Sequence, residues 1–267
     1  CVLFKRYPDI RPSCRYFYRI QCVNRFQVGH IIGRVLHSNF AKCNKMKNYS
    51  IVEGPWGRYT FRKVRPEDWD KVIRHIQDYF LRDEPTSKLL GYTDEYGEEF
   101  AVLVRRLFLD DLSFWVEDNE TGEVAAVRVT YRHHKDTNFD DIPMNSRSMK
   151  YMCKVDDMCL DRSDLFEKYN LEECADFFAA SCAPNHRNRG IISEMYKRSV
   201  AFLKAEGFKL AKGILTSPYT RTAARNLGFV EASRVEFSEV KEEDGTPVFD
   251  PKDLNEEHYA TMMVKLL

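Results

Sequence analysis

The chain has 267 residues, 43% of them hydrophobic and 13% aromatic, which is material for one sizeable core and, at this length, one catalytic domain. No run approaches the roughly 18 uninterrupted apolar residues of a membrane-spanning helix, and none resembles a signal peptide, so a soluble, cytoplasmic protein without a membrane partner is expected. The eight cysteines form neither a CxxC pair nor a Cys/His zinc spacing, which predicts reduced thiols, no disulfide framework and no metal.

The formal net charge is zero but unevenly spread. Residues 1–45 hold nine of the 41 Lys and Arg and only one, Asp9, of the 41 Asp and Glu, leaving 32 bases against 40 acids in residues 46–267. A folded catalytic domain is expected over residues 46–267, starting at the first methionine, Met46. Residues 1–45 read as a basic extension outside it: a transit peptide, a basic tail or translated upstream sequence. The acidic remainder is unsuited to nucleic acid, whose affinity rests on Lys and Arg at phosphates. It suits a cationic substrate, or is simply a solubilising surface.

Tyr59–Val64 alternates as a strand does, and Arg65-Pro66-Glu67-Asp68 supplies a helix start with Pro and acids in the first turn. The helix that follows sets Trp69, Val72, Ile73, Ile76, Tyr79 and Phe80 at three- and four-residue spacings. It is predicted to end near Arg82-Asp83-Glu84-Pro85, followed by a polar loop. Phe100, Val104, Leu107 and Phe108 mark a second helix, and Leu112–Glu117 with Glu123–Tyr131 read as a β-hairpin. Residues 133–149 are polar and irregular, with His133 and His134 read as surface residues, and 150–173 form a helical insertion. Cys174–Ala183 is an apolar run of strand length, followed by a basic turn and a helix over Gly190–Glu206 that carries Ile192, Met195, Tyr196, Ser199 and Leu203 on one face and stops at Gly207. A strand over Lys209–Thr216, a short helix over Thr220–Leu227 and strands over Val230–Val240 and Tyr259–Leu267 complete the chain. Strands alternating with helices give an α/β class, a mixed sheet of about seven strands flanked by helices.

The segment from Cys182 to Ser193 carries the chemistry, because a strand there ends in a turn whose N–H groups lead into a helix. The first N–H groups of a helix lack internal partners and sit at the positive end of its dipole, so the turn suits a phosphate anion, with Gly190 permitting close approach and Arg187 and Arg189 adding charge. Arg187-Asn188-Arg189-Gly190 resembles the RxxGxG/A pyrophosphate motif of the GNAT acyl-CoA N-acyltransferases. About forty residues on, Ser217 to Glu231, with its Gly228-Phe229, is similar to the second signature of that family. Phe80-Leu81-Arg82-Asp83-Glu84-Pro85 resembles the acidic DEP segment of the insect-type arylalkylamine N-acetyltransferases. The resemblance spans roughly residues 57–267.

The resemblance implies the GNAT fold and acetyl-CoA, or another acyl-CoA, as co-substrate, without a metal. The acyl-CoA would be held by Ser181, Cys182 and Ala183 at the strand end, by Arg187, Asn188, Arg189, Gly190, Ile191, Ile192 and Ser193 in the turn and helix start, and by Ser217. One departure stands out: Ile192 occupies a position that is Gly or Ala in the motif. Either its bulk weakens CoA binding or it turns onto the apolar face of the helix, where its spacing places it.

Acyl transfer to an amine needs the amine deprotonated, since an ammonium has no lone pair. By analogy with the DEP segment, Glu84 is the expected base; the competing reading is a helix-end carboxylate in solvent or paired with Arg82. Thr216 and Thr220 fall where the resemblance places active-site serines, and Thr220 reads equally as a helix N-cap. An acyl-cysteine at Cys182 is disfavoured, because no histidine is placed by sequence to lower the pKa of the thiol except His186, whose turn position points toward the phosphates. The expected reaction is direct transfer of an acetyl or other acyl group to a small primary amine in a ternary complex, by a monomer with no nucleic-acid partner. The alternatives are a protein lysine or N-terminal acetyltransferase and a non-catalytic acyl-CoA-binding domain.

Overall fold

Eight strands hydrogen-bond into one sheet in the order β1-β2-β3-β4-β5-β6-β8-β7, in a computed structural model that describes Lys47–Leu267. The basic extension expected over residues 1–45 lies outside the described residues. The strands are β1 (Gly54–Trp56), β2 (Tyr59–Lys63), β3 (Phe114–Asp118), β4 (Val124–His134), β5 (Glu173–Cys182), β6 (Leu210–Leu215), β7 (Val230–Glu236) and β8 (Tyr259–Leu266). The strand beyond the expected seven is β1: three residues are too few to show alternation, and Pro55 within it blunts a sheet edge.

Helices cover both faces. On one lie α1 (Trp69–His75), α2 (Pro85–Leu90), α3 (Asp94–Phe108), α4 (Arg147–Ser163) and α5 (Leu165–Tyr169); on the other, α6 (Ile191–Ala205) and α7 (Pro218–Asn226). Val72, Phe100, Val104 and Leu107 pack on Val127, Val129 and Tyr131 of β4, whereas Met195, Tyr196, Phe202 and Leu203 pack on Phe61, Phe114 and Phe177 across the sheet. Each such buried side chain contributes about 1.5–3 kcal/mol of apolar transfer. His133, expected at the surface, is buried, because β4 runs three residues further than its alternation suggested and carries the imidazole beneath Phe166.

The helix α1 (Trp69–His75) runs on through a π-helical stretch, Ile76–Phe80, and a last turn, Leu81–Asp83. It breaks at Glu84, which is extended at φ −65° and ψ 129°, as a residue before proline prefers. The expected polar loop is instead α2, which starts at once because Pro85 stands at its first position and the Glu84 carboxylate accepts hydrogen bonds from the N–H groups of Thr86 (3.0 Å) and Ser87 (2.6 Å).

The strands β5 and β6 are the one parallel pair among the described residues, as the crossover through α6 requires. They pair only at Ala175–Ala211 and Asp176–Lys212 and then diverge. Beyond that point Ala179–Cys182 still pairs with β4, so backbone groups of β5 that point away from β4 open into a gap. A bulge lies at the branch, where the registers Val129–Ala179 and Tyr131–Asp176 place an extra residue in β5. The bulge puts Phe178 and Ala179 on the α3 face together, while Phe177 and Cys182 face α6.

Candidate active site

Three chain segments meet around the gap between β5 and β6. The turn after β5 supplies one wall. Asn188 and Gly190 both adopt left-handed conformations, with φ of 59° and 77°. A Cβ on Gly190 would meet only Trp56, at 3.7 Å, so the position needs glycine for its backbone angle rather than for space. Gly190 is also the N-cap of α6 and has no side chain to cap it, and the first bond from the helix back to the turn is from Glu194 N–H to the Gly190 carbonyl at 3.0 Å. The N–H groups of Ile191, Ile192 and Ser193 therefore lack intrahelical partners and form a donor cluster at the positive end of α6. Ile192 is partly buried and packs against the α6-face core, leaving Ile191 as the buried residue of the first turn.

The turn is buttressed from below and tied across the gap. Tyr59 Oη lies 3.2 Å from His186 Nδ1, and His186 is buried beside Asp118, whose carboxylate pairs with Arg58. Arg187 donates to the Cys182 carbonyl (3.0 Å) and forms an ion pair with Asp83, the neighbour of Glu84. Arg189 makes no ion pair among the described residues. Burial pushes the Cys182 thiol up to about 11, against the opposing pull of Arg187 and Arg189, so at neutral pH it is not a thiolate.

Glu84 and Thr216 form the second wall. The Thr216 hydroxyl, just past β6, donates to Glu84 Oε1 at 2.6 Å across 132 residues. The Glu84 carboxylate thus takes three hydrogen bonds, two from α2 N–H groups and one from Thr216. Arg82 is not its partner: that guanidinium lies over the Tyr92 ring, 4.3 Å from its centroid. Thr216 is held in turn by Arg221 of α7, a buried cation that donates to the Thr216 carbonyl (2.7 Å), to the Tyr259 carbonyl (3.1 Å) and to the Glu257 carboxylate (2.8 Å). Arg221 was not legible in the sequence; the available signal was an arginine three residues before Ala224, on what becomes the buried face of a short helix.

Thr220 is not joined to this cluster. Its hydroxyl donates to the Ser217 carbonyl at 2.9 Å. Nor is it an N-cap: Pro218 starts α7 two residues earlier than expected, so Ser217 takes the cap position, without a side-chain capping bond.

Behind Glu84 lies an aromatic and acidic cluster. Phe80, Phe100, Phe178 and Tyr131 form a chain of ring contacts with centroids 5.5–6.2 Å apart, ending beside α3 and β5. Tyr96 Oη lies 2.8 Å from Ser87 Oγ and donates to Met152 Sδ at 3.3 Å. Burial, with the Glu84 charge next, pushes the Tyr96 phenol upward, so it stays protonated. Asp156 of α4 is enclosed yet partly accessible. Burial pushes its carboxyl well above the ordinary range; the Lys212 ammonium opposes this, and the charges of Asp176, Asp157 and Glu84 add to it.

At the branch point the last paired rung carries charge. Asp176 and Lys212 form a fully buried ion pair, and His133 Nδ1 stands 3.3 Å from Asp176 and 3.1 Å from Tyr131 Oη. Burial would raise the Asp176 carboxyl, but Lys212 and the hydrogen bond from His133 outweigh it and hold it at about 2. Among the described residues, no group of three or more His, Cys, Asp or Glu is arranged to hold a metal, and no helix is long and apolar enough to cross a membrane.

A mixed sheet splayed after two rungs, with a donor-rich turn at the end of the central strand, defines the GNAT acyl-CoA N-acyltransferase fold, and this chain has it. Among solved structures, it is similar to one described as arylalkylamine N-acetyltransferase 7 from the mosquito Aedes aegypti, at a TM-score of 0.70 and 22% identity over 78% of this chain and 87% of that one. It is similar also to arylalkylamine N-acetyltransferase 2 of Aedes aegypti (TM-score 0.68, 18% identity, 78% and 98% covered). A third similar structure is the Drosophila melanogaster polyamine N-acetyltransferase, described as forming N-acetylagmatine (0.65, 13%, 78% and 100%). No family model matches the sequence.

Proposed function

We propose that this protein is an acyl-CoA-dependent N-acyltransferase that acetylates a small primary amine by direct attack in a ternary complex. The observation that carries this reading is the 2.6 Å hydrogen bond from Thr216 to Glu84, which sets a carboxylate at the mouth of the gap between β5 and β6. Acetyl-CoA would lie in that gap, its pyrophosphate on the N–H groups of Ile191–Ser193 with Arg187 and Arg189 alongside, and its pantetheine along Ser181, Cys182 and Ala183 on one side and Ser217 on the other. For Arg187 to reach the phosphates, its ion pair with Asp83 must open.

Glu84 takes a proton from the ammonium, and the freed lone pair attacks the thioester carbonyl. A C–N bond forms, the oxyanion is met by β5 N–H groups near Ala180 and Ser181, and the C–S bond then breaks. The departing thiolate takes up the second proton of the adduct nitrogen, for which the Thr216 hydroxyl beside Glu84 is a relay, and Glu84 returns the first proton to solvent. Thr220 serves by fixing the start of α7. The high thiol pKa of Cys182 supports direct transfer over an acyl-enzyme. The partly exposed rings of Phe80 and Phe178 and the acids Glu84 and Asp156 suit an amine with an aromatic or second polar group, and the likeness to arylalkylamine and polyamine N-acetyltransferases favours that class.

The test is release of CoA from acetyl-CoA in the presence of arylalkylamines, diamines and lysine- or N-terminal peptides. Turnover with small amines and none with peptides is expected. Turnover with peptides alone would make the protein a protein acetyltransferase, and acetyl-CoA binding without turnover on any amine would make it a binding domain.

A further inference from the structure

Three cations among the described residues are almost fully buried: Arg128 and Arg221, each 1% exposed, and Lys212, 2% exposed. Lys212 is neutralised by Asp176 and Arg221 by Glu257. Arg128 has no ion pair among the described residues, and its Nε and Nη2 are buried without a hydrogen-bond partner. It sits in mid-β4, opposite Phe114 of β3 and Ala180 of β5, with its guanidinium carbon 3.9 Å from the ring centroid of Tyr196 on α6 and 4.4 Å from that of Phe177 on β5.

Ring contacts do not offset the burial of this charge. A desolvated cation–π contact contributes about 2 kcal/mol, whereas an ion taken from water into a protein interior costs several. Two residues along the same face of β4, the Thr130 hydroxyl is also buried without a partner, although its backbone N–H and carbonyl are both engaged by Ser113. A water molecule can complete hydrogen bonds here but cannot neutralise a guanidinium. The aromatic enclosure favours a ligand of one or a few atoms over a carboxylate or phosphate.

We propose that Arg128 binds a small monovalent anion of the halide class within the core between β4 and α6, with Nε and Nη2 as donors and Thr130 Oγ1 as a third. The site is distinct from the turn at Arg187–Ser193, which is built from backbone N–H groups at the protein surface, and it does not depend on the acyltransferase reading. Its role is to neutralise the cation on the strand that pairs with the gap-lining part of β5.

Anomalous diffraction from crystals of the full chain grown or soaked in bromide tests this directly: a bromide peak is expected within hydrogen-bonding distance of Arg128 Nε and Nη2. Thermal unfolding at constant ionic strength, in chloride or bromide against gluconate, gives a solution readout. Halide at about five times its Kd should raise the midpoint by about 2–4 °C, saturably, and Arg128→Met should abolish that dependence. A bromide map with no peak at Arg128, or a midpoint that responds to halide identically in the wild type and Arg128→Met, overturns the proposal in favour of water alone. Should Arg128→Met fail to fold, the bromide map of the unaltered protein still decides.

Discussion

The donor turn after β5 and the Glu84–Thr216 corner flank the same gap but are built in opposite ways. The turn is contiguous: Arg187 to Ser193 supply its charge, its left-handed glycine and its free N–H groups within seven neighbouring positions. The corner joins residues 132 apart and exists only because α1 breaks at Glu84 and β6 ends just before Thr216 on the same side of the sheet. A locally built site fails through its backbone geometry, and a convergent one through any of the contacts that bring its parts together.

The largest effect should come from the turn. In Gly190→Pro, φ cannot reach 77°, so the donor cluster is lost and acetyl-CoA affinity should fall beyond detection by calorimetry while the fold remains. An unchanged affinity in the folded variant would remove the turn from the cofactor site. Glu84→Gln sharpens the contrast from the other side. The amide oxygen can still accept from α2 but cannot take a proton, so turnover should fall by roughly two to four orders of magnitude with cofactor affinity intact. If turnover stays near normal, Glu84 is only the cap of α2.

Smaller effects probe how the convergent site is supported. Asp176 binds its proton near 3.8 when unfolded and only at about 2 when folded, so its contribution to stability is complete above about pH 5 and disappears as pH falls from about 4 to 2. That loss should be about 2 kcal/mol in urea unfolding, and Asp176→Asn should remove it from this pH window. Equal acid sensitivity in the variant would show that other carboxylates govern the limb. The smallest expected change is Thr216→Val, which deletes one hydrogen bond to a carboxylate and should lower turnover by about tenfold to a hundredfold, leaving the KM for acetyl-CoA unchanged. A shifted KM for the cofactor would mean that Thr216 belongs to the turn's function rather than to that of Glu84.

Legibility follows the same division. Turn and strand chemistry act over a few residues, so the strand–turn–helix over β5 and α6, the glycine at 190 and the alternation of helices and strands could be read from spacing alone. The misread positions are those where a neighbour decides. His133 is buried because β4 extends beneath Phe166, and α2 replaces a loop because Glu84 can cap it. Thr220 lost its expected place because Pro218 started α7 early.

By itself the amino-acid sequence determined the α/β order, the donor turn and the carboxylate before Pro85, since these depend on backbone preferences and local hydrogen bonding. Only the tertiary structure decided which hydroxyl meets Glu84, that Arg221 holds Thr216, and which buried cations find a counter-charge. Those outcomes depend on which strands lie side by side and where β5 and β6 part, and no spacing within one segment encodes a distance between two.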